Sequence, residues 1–534
     1  MERDNSSSFI KGAFILGAAG IIIKILGAFF RIPLANLIGD EGMGYYQSAY
    51  PIYLLLLVIS TAGFPTAIAK LVSEKMALGD RYGADRIFKV SFIALFIVGI
   101  TTSSILFLGA KTYSDYFIKN PKAYYSTLAI APALFFVPIM SAFRGYFQGL
   151  QNMKPTAISQ IVEQAGRVIL GLALAYILLD RDLEIAAAGA TFGATAGALF
   201  GAIITTFIYF KYKGNSRAFK PIGQIESTNS ILKKLLLIAI PITIGAAVLP
   251  VMQAIDAGIV MRRLQDIGYD ENTANSLFGQ LTGMANPLIN FPQALTAAIQ
   301  VSLVPAVSHL ATRRAVSSLY KTIEAGVRIA LLIGLPAGIG LVILSEQIMV
   351  LLYPLQIESA INASKILYIL GFGVIFLSIF QTLTGVLQGL GKPIVPVRNL
   401  FVGAVIKLIL SYILIGIPEL NVKGAAIATI TGYGIAAILN LIYIRNYINV
   451  RFDFLNVFLK PTISVIAMAV VVKLSYPILN GTLGSNKATL ISVAVGAVVY
   501  GMMLLVTRTI TEEDFKLMPG GQKLYRVARI FYKK

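Results

Sequence analysis

The chain has 534 residues, of which 57% are hydrophobic and only 13% are charged, and its formal net charge is +20. Soluble proteins carry about twice that charged fraction, so this composition excludes a soluble globular domain and predicts an integral membrane protein. Cysteine is absent, which excludes disulfides and Cys-based metal sites, and the positive charge falls in short connections between apolar runs rather than in a patch that would bind nucleic acid.

Fourteen apolar runs are each long enough to cross a bilayer core, which needs about 20 residues of helix. In chain order they lie near residues 9–31, 44–71, 87–110, 123–149, 155–179, 184–210, 230–262, 275–309, 322–345, 360–390, 394–417, 422–445, 457–479 and 487–508. The sequence therefore predicts an all-α polytopic membrane protein with fourteen transmembrane helices. Because tryptophan is absent, tyrosines are expected at the membrane interfaces, among them Tyr45, Tyr46, Tyr124, Tyr125, Tyr443 and Tyr447.

Lys and Arg are distributed unevenly among the connections. With the N-terminus placed inside, the inside connections and the span ends next to them hold 28 of the 45 Lys and Arg residues, and the outside connections with their adjoining span ends hold 9. Positive charge favours the cytoplasmic side. We therefore expect a multi-pass protein of the cell membrane with both termini in the cytoplasm. The polar tail at 509–534 has apolar residues at helical spacing and predicts an amphipathic helix on the inner leaflet; a frayed basic tail is the alternative.

An internal repeat organises the chain. Four residues recur 240 positions later: Gly145, Gln148, Gly149 and Leu150 become Gly385, Gln388, Gly389 and Leu390. Pro65 and Pro305 are separated by the same interval. The repeat predicts two parallel six-helix lobes, a plan typical of secondary transporters. Their expected limits are 1–210 and 230–446, with a cytoplasmic linker at 211–229 and two additional helices within 447–508.

Charged side chains inside the predicted spans are the candidate functional residues, since each is costly in lipid unless it faces water or a partner. They are Lys24, Arg31, Arg144, Glu163 and Arg167 in the first lobe, and Asp256, Arg398 and Lys407 in the second. Glu163 and Arg167 are four residues apart and can pair on one helical face. The cations predict a shared cavity for an anion such as pyrophosphate. Snorkelling and structural ion pairs are the alternative reading.

Prolines within the predicted spans are candidate hinges, because proline removes a helical hydrogen bond and permits bending. Pro51 and Pro65 lie in the second span, and Pro287, Pro292 and Pro305 lie in the eighth, which is its counterpart in the second lobe. Static kinks that only shape packing are the alternative. Nucleotide-binding, metal-ligand and nucleophile motifs do not stand out, so we expect neither an enzyme nor a cofactor.

Two segments resemble a known family. The segment RGYFQGLQNMKPTAISQIVEQAGR, at 144–167, resembles the signature of the polysaccharide-exporter branch of the MOP flippase superfamily, which contains the YtgP/MurJ-like lipid II flippases and SpoVB. The segment LGAFFRIPLANLIG, at 26–39, is similar to the first helix of the MurJ-type proteins. The likeness extends over essentially the whole chain and implies a MATE-like fold with two added C-terminal helices, which help to form a groove for a lipid tail.

The resemblance also implies a function. It implies a monomeric flippase that carries undecaprenyl-pyrophosphate-linked peptidoglycan precursor, lipid II, across the membrane by alternating access, with the cell-wall synthesis machinery as a partner. The family's arginines of helices 2 and 8 fall here near Leu57 and at Pro287, so Arg144, Arg167 and Arg398 are expected to substitute. The alternatives are a flippase for another polyprenyl-linked glycan or a spore-cortex precursor, a MATE-type antiporter that couples ions through Asp256 or Glu163, and a non-transporting scaffold.

Overall fold

The apolar runs form long α-helices, as expected of backbone that must satisfy its hydrogen bonds without water. A computed structural model describes residues 2–214, 225–448 and 453–509. The first helices are α1 (Glu2–Thr61), α2 (Phe64–Ala77), α3 (Arg81–Thr112), α4 (Tyr124–Ile130), α5 (Ala133–Gly149), α6 (Lys154–Leu178), α7 (Leu183–Gly214) and α8 (Thr228–Asp266). They are followed by α9 (Glu271–Gly279), α10 (Asn286–Thr312), α11 (Val316–Ile343), α12 (Ser345–Leu352), α13 (Ile357–Gly389), α14 (Ile394–Ile415), α15 (Val422–Ile448), α16 (Lys460–Leu483) and α17 (Ser485–Val506). Single π-helical segments lie at Tyr113–Ile118, Gln280–Ala285 and Leu455–Leu459.

Thirteen stretches of the described chain are long and apolar enough to cross a membrane. The first, Ile15–Ala77, has 63 residues. At 1.5 Å per residue such a helix would be about 95 Å long, roughly three times the bilayer core. It contains the second predicted span and most of the first, and it is broken at Gly39, whose φ of 66° and ψ of −172° are not helical. The predicted all-α polytopic architecture is confirmed.

The candidate hinge prolines occupy two kinds of position. Pro65 lies in the first turn of α2, where the missing N–H has no helical acceptor to lose. Pro287 lies where the π-helical segment Gln280–Ala285 continues into α10, inside the span Glu271–Thr312. Pro51, Pro292 and Pro305 lie inside continuous helices. Whether any of the five acts as a hinge stays a prediction.

The chain divides into two compact units. The first comprises Met1–Gln265 with Tyr269–Gly279, and the second comprises Asp266–Gly268 with Gln280–Lys534. The division into six, six and two helices follows the sequence repeat and stays a prediction. Most of the expected linker, residues 215–224, and the expected amphipathic tail from residue 510 onward lie outside the described residues.

The repeated glycines have the same packing role in each unit. In the first, a Cβ added at Gly149 of α5 would lie 2.6 Å from the Cβ of Val72 on α2. In the second, a Cβ at Gly389 of α13 would lie 2.8 Å from the Cβ of Val307 on α10. Real Cβ atoms do not approach so closely, so only glycine permits these helices to pack at this distance.

The helices that carry these glycines also end in the same way. After α5, Gln151 adopts a left-handed φ of 58°, and after α13, Gly391 adopts a φ of 74°. The N–H of Asn152 donates to the Phe147 carbonyl at 2.9 Å, and that of Lys392 donates to the Leu387 carbonyl at 2.8 Å. This is the Schellman hydrogen-bonding pattern, which satisfies the last carbonyls of a helix.

Candidate functional site

A glycine stripe on α7 positions the charged residues of α6. A Cβ added at Gly193 would lie 2.6 Å from the carbonyl oxygen of Arg167, and one at Gly197 would lie 2.2 Å from that of Glu163. The two backbones are therefore in direct contact, which the small residues permit. Because the backbone of α6 faces α7, the side chains of Glu163 and Arg167 reach other helices of the first unit.

Arg144 of α5 and Glu163 form a half-buried ion pair. The Arg144 Nη2 atom lies 2.8 Å from the Glu163 Oε2 atom, and the two side chains are 13% and 30% exposed. Arg144 Nε also donates to Ser159 Oγ at 2.8 Å. The i, i+4 spacing suggested that Glu163 pairs with Arg167, but Glu163 instead pairs with Arg144 on the neighbouring helix. The charge of Arg144 is therefore balanced.

Arg167 instead contacts tyrosines of α1. Its guanidinium carbon lies 5.1 Å from the centre of the Tyr50 ring, and its Nη2 donates to the Tyr50 hydroxyl. The Tyr46 hydroxyl donates to the same oxygen at 2.7 Å. The Tyr53 ring meets the Tyr50 ring edge-on at 5.9 Å between centroids. Aromatic faces and hydroxyls therefore hold Arg167 in place, and no carboxylate among its described contacts balances its charge.

Lys24 and Arg31 belong to the part of α1 that packs on α6. A Cβ added at Gly27 would lie 3.7 Å from Gln164 Nε2, and one at Gly171 would lie 2.8 Å from the Phe30 ring. Arg31 is half-buried and Lys24 is exposed. Among the described residues, no carboxylate lies within ion-pairing distance of Lys24, Arg31 or Arg167. We call these three residues of α1 and α6, which share the lack of a carboxylate partner, the cationic cluster.

The remaining predicted site residues are dispersed. Asp256 lies half-buried on α8, in the first unit. Arg398 and Lys407 lie on α14, in the second unit. Arg398 is exposed, with its Nε 3.5 Å from Asn399 Oδ1. Lys407 is half-buried against α15, where a Cβ added at Gly432 would lie 3.1 Å from the lysine Cβ. The part of the chain that the structure describes holds no group of three His, Cys, Asp or Glu residues suited to a metal ion.

The tyrosines around Arg167 were not predicted as site residues. Tyr46 and Tyr45, both expected at a membrane interface, are 2% and 1% exposed, so their side chains pack inside the protein. Their depth in the membrane stays a prediction. The available signal was their spacing: residues 46, 50 and 53 recur at i, i+4 and i+7 and therefore share one face of α1.

A second charged group lies at the start of α8. Lys234 Nζ lies 2.5 Å from Glu226 Oε1, and Lys75 Nζ lies 3.8 Å from Glu226 Oε2 and 3.3 Å from Asp80 Oδ2. The hydrogen bond from Lys234 holds the pKa of the Glu226 carboxyl below its ordinary value. Glu226 precedes the first residue of α8, so this group joins the chain before α8 to the end of α2.

Comparison with known proteins identifies relatives along the whole chain. The family model for polysaccharide biosynthesis proteins matches residues 9–311, more than half of the chain, and the model for MatE proteins matches residues 282–413. Stage V sporulation protein B of Bacillus subtilis (strain 168) is 28% identical over 520 residues, which cover 96% of this chain and 98% of the relative. Lipid II flippase MurJ of the same organism is 28% identical over 522 residues, which cover 93% and 94%.

A solved structure is also similar. Lipid II flippase MurJ in an inward closed conformation aligns with a TM-score of 0.70 at 17% sequence identity, and the alignment covers 92% of this chain and 98% of that one. At this identity the likeness establishes the fold.

Proposed function

This chain belongs to the polysaccharide biosynthesis protein family of MOP-superfamily flippases, and we propose that it moves lipid II, the undecaprenyl-pyrophosphate-linked peptidoglycan precursor, across the cytoplasmic membrane. The observation that carries the proposal is the cationic cluster of Lys24, Arg31 and Arg167, which has no carboxylate partner among the described residues. Half-buried cations without a protein counter-ion, here Arg31 and Arg167, favour an anionic guest.

The chemistry of the cluster suits a pyrophosphate that carries sugars. Guanidinium groups present several N–H donors in a plane and bind phosphate oxygens in pairs. The hydroxyls of Tyr46 and Tyr50 can each donate and accept a hydrogen bond, as sugar hydroxyls require. We propose that the monomer, with both termini in the cytoplasm, binds the head group here and translocates it by alternating access, with Arg398 and Lys407 contacting cargo and the five prolines as hinges.

The antiporter reading is less well supported. A MATE-type exchanger would need a carboxylate free to bind a coupling ion, and the Glu163 carboxylate is in an ion pair with Arg144 at 2.8 Å. The match of the MatE family model to residues 282–413 accords with a shared fold. A flippase for another polyprenyl-linked glycan remains the second candidate, because the relatives include a sporulation protein as well as a lipid II flippase.

The proposal is tested by depleting the protein in cells without a redundant flippase and measuring lipid II at the outer face with an impermeant probe. Exposure should fall on depletion and return with the parent protein, but not with Arg31→Glu or Arg167→Gln. Lys487→Glu, at an exposed lysine on α17, is the matched charge-changing control and should restore exposure. Unchanged lipid II exposure after depletion would exclude this cargo, and accumulation of a different lipid-linked glycan inside would identify the second candidate.

A further inference from the structure

An open groove of about 580 Å³ lies on the first unit, bounded by α1, the end of α3, the π-helical segment Tyr113–Ile118 and the end of α8. Its floor is buried: Leu106 is 2% exposed, and Tyr113, whose hydroxyl donates to the Ser48 carbonyl at 2.9 Å, is 8% exposed. Its walls include large apolar side chains on the surface, such as Ile105 at 55% exposed. The volume falls in the range of about 300–1,000 Å³ that small-molecule sites have.

One residue that lines this groove, Arg262, is charged. Its Nε donates to the Phe117 carbonyl at 3.3 Å, and its Nη2 donates to the Tyr116 carbonyl. Both carbonyls belong to the end of the π-helical segment, where carbonyl groups lack helical donors. These bonds hold the guanidinium at the groove, and its further N–H donors remain for an anion.

The position of Arg262 along α8 matches the depth of lipid phosphates. Lys233, near the other end of α8, lines a separate apolar groove of about 470 Å³. The two residues are 29 positions apart, which is about 43 Å of helix at 1.5 Å per residue. A bilayer with its head groups measures about 40–45 Å. The two cations therefore suit the head-group regions of opposite leaflets.

We propose that the groove binds an anionic glycerophospholipid of the leaflet predicted to be external, with its phosphate at Arg262 and an acyl chain along α3. The apolar walls can pack against an acyl chain, whereas a free phosphate would gain no contact from them. Lys111 and Lys119, both exposed, flank the lining segment and add positive charge at the same end. No residue of the cationic cluster lines this groove. The lipid proposed here is therefore a stably bound lipid and not the transported cargo.

The absence of tryptophan makes the test direct. An Ile105→Trp variant of the full chain places one fluorophore on the groove wall. It is reconstituted in phosphatidylcholine vesicles that contain either brominated phosphatidylglycerol or brominated phosphatidylcholine, since bromine quenches tryptophan on contact. We expect brominated phosphatidylglycerol to associate about fivefold more strongly, the preference that one arginine gives for an anionic lipid.

Two further substitutions in this background separate charge from shape. In Arg262→Gln, the ratio of phosphatidylglycerol to phosphatidylcholine association should fall close to one. Gly109→Leu should reduce quenching by both lipids, because an added Cβ at Gly109 meets nothing within 4 Å and the side chain can fill the groove without a clash. Lys487→Gln, which removes an exposed charge elsewhere on the predicted external side, should keep the preference.

Three results would overturn the proposal. The first is equal quenching by the two lipids in the Ile105→Trp protein, and the second is a preference that survives Arg262→Gln. The third is relief of the quenching by soluble glycerol phosphate, which would identify an anion site that needs no acyl chain. If Arg262→Gln does not fold, the test rests on Gly109→Leu alone. Unchanged quenching in that variant would show that lipid does not bind in the groove.

Discussion

The Nη2 atom of Arg144 lies 2.8 Å from the Oε2 atom of Glu163, and this pair joins α5 to α6. Because each charge is balanced by the other in this structure, we expect neither Arg144 to bind a substrate nor Glu163 to bind a coupling ion. Arg167, one turn further along α6, has only tyrosines as partners among the described residues. The pair and the free cation therefore have different expected roles.

The ion pair should be structural. Arg144→Gln leaves the half-buried Glu163 without its cation, and we expect the free energy of unfolding to fall by about 2 kcal/mol, a usual value for hydrogen bonds to charged groups. Exchanging the charges, with Arg144→Glu and Glu163→Arg together, should recover most of the loss. Unfolding of Arg144→Glu, of Glu163→Arg and of the double variant in detergent gives the coupling energy between the two positions. An Arg144→Gln protein as stable as the parent but inactive would instead place Arg144 at the substrate.

The close packing of α5 on α2 should tolerate no added methyl group. In Gly149→Ala the new Cβ would lie 2.6 Å from the Val72 Cβ, and the forced shift should cost about 1–3 kcal/mol of unfolding free energy. Gly340→Ala is the matched control on α11, since a Cβ there meets nothing within 4 Å. It should be neutral or stabilise by up to about 1 kcal/mol. Equal melting temperatures for the two variants would contradict the packing.

The end of α5 should be improved by glycine. Gln151 holds a left-handed φ of 58°, which costs side chains roughly 1–2 kcal/mol. After the extra chain entropy of glycine is subtracted, Gln151→Gly should stabilise the protein by about 0.5–1 kcal/mol. Gly391→Gln, the reciprocal change, should lower the melting temperature by a similar amount. A destabilised Gln151→Gly protein would show that the glutamine side chain makes a contribution of its own.

The contribution of Glu226 should depend on pH in one direction. Its pKa in the folded protein is lowered, mainly by Lys234. Its stabilising effect is therefore complete above its unfolded pKa and is lost as the pH falls through the lower folded value. The difference in unfolding free energy between the parent and Glu226→Gln should be constant from about pH 7 to about pH 5 and shrink below about pH 4.3. A difference that grows on acidification would contradict the assignment.

The predicted orientation of the chain in the membrane can be tested by labelling single introduced cysteines, because the chain has no cysteine of its own. In intact cells, an impermeant maleimide should label Lys487→Cys at the start of α17. It should label Lys154→Cys, in the first turn of α6, only after permeabilisation; both lysines are exposed. The reverse pattern would invert the topology deduced from the Lys and Arg distribution.

The long helices were predictable because length and hydropathy are properties of one segment. The break at Gly39 falls in the connection between the first two predicted spans, next to Asp40 and Glu41. The separate short helix α12 was not resolved, because it is a local change beside a long apolar run. The pairing of Glu163 also could not be read from its own helix. An i, i+4 neighbour is always near on the same helix. That Glu163 pairs with Arg144 instead depends on how closely α7 packs on α6 and on which side of α6 is left for α5. Partners on other helices decide the site, and spacing along one helix does not reveal them.

The matched ends of α5 and α13 bear on how the two halves have diverged. Both turns have kept the same left-handed geometry and the same hydrogen bonds, yet glycine stands at the turn in one copy and glutamine in the other. The left-handed turn therefore forms with or without the residue that favours it, because the hydrogen bonds that close the helix are the same in both places. A comparison of residues alone would miss this likeness between the two segments, which the backbone shows directly.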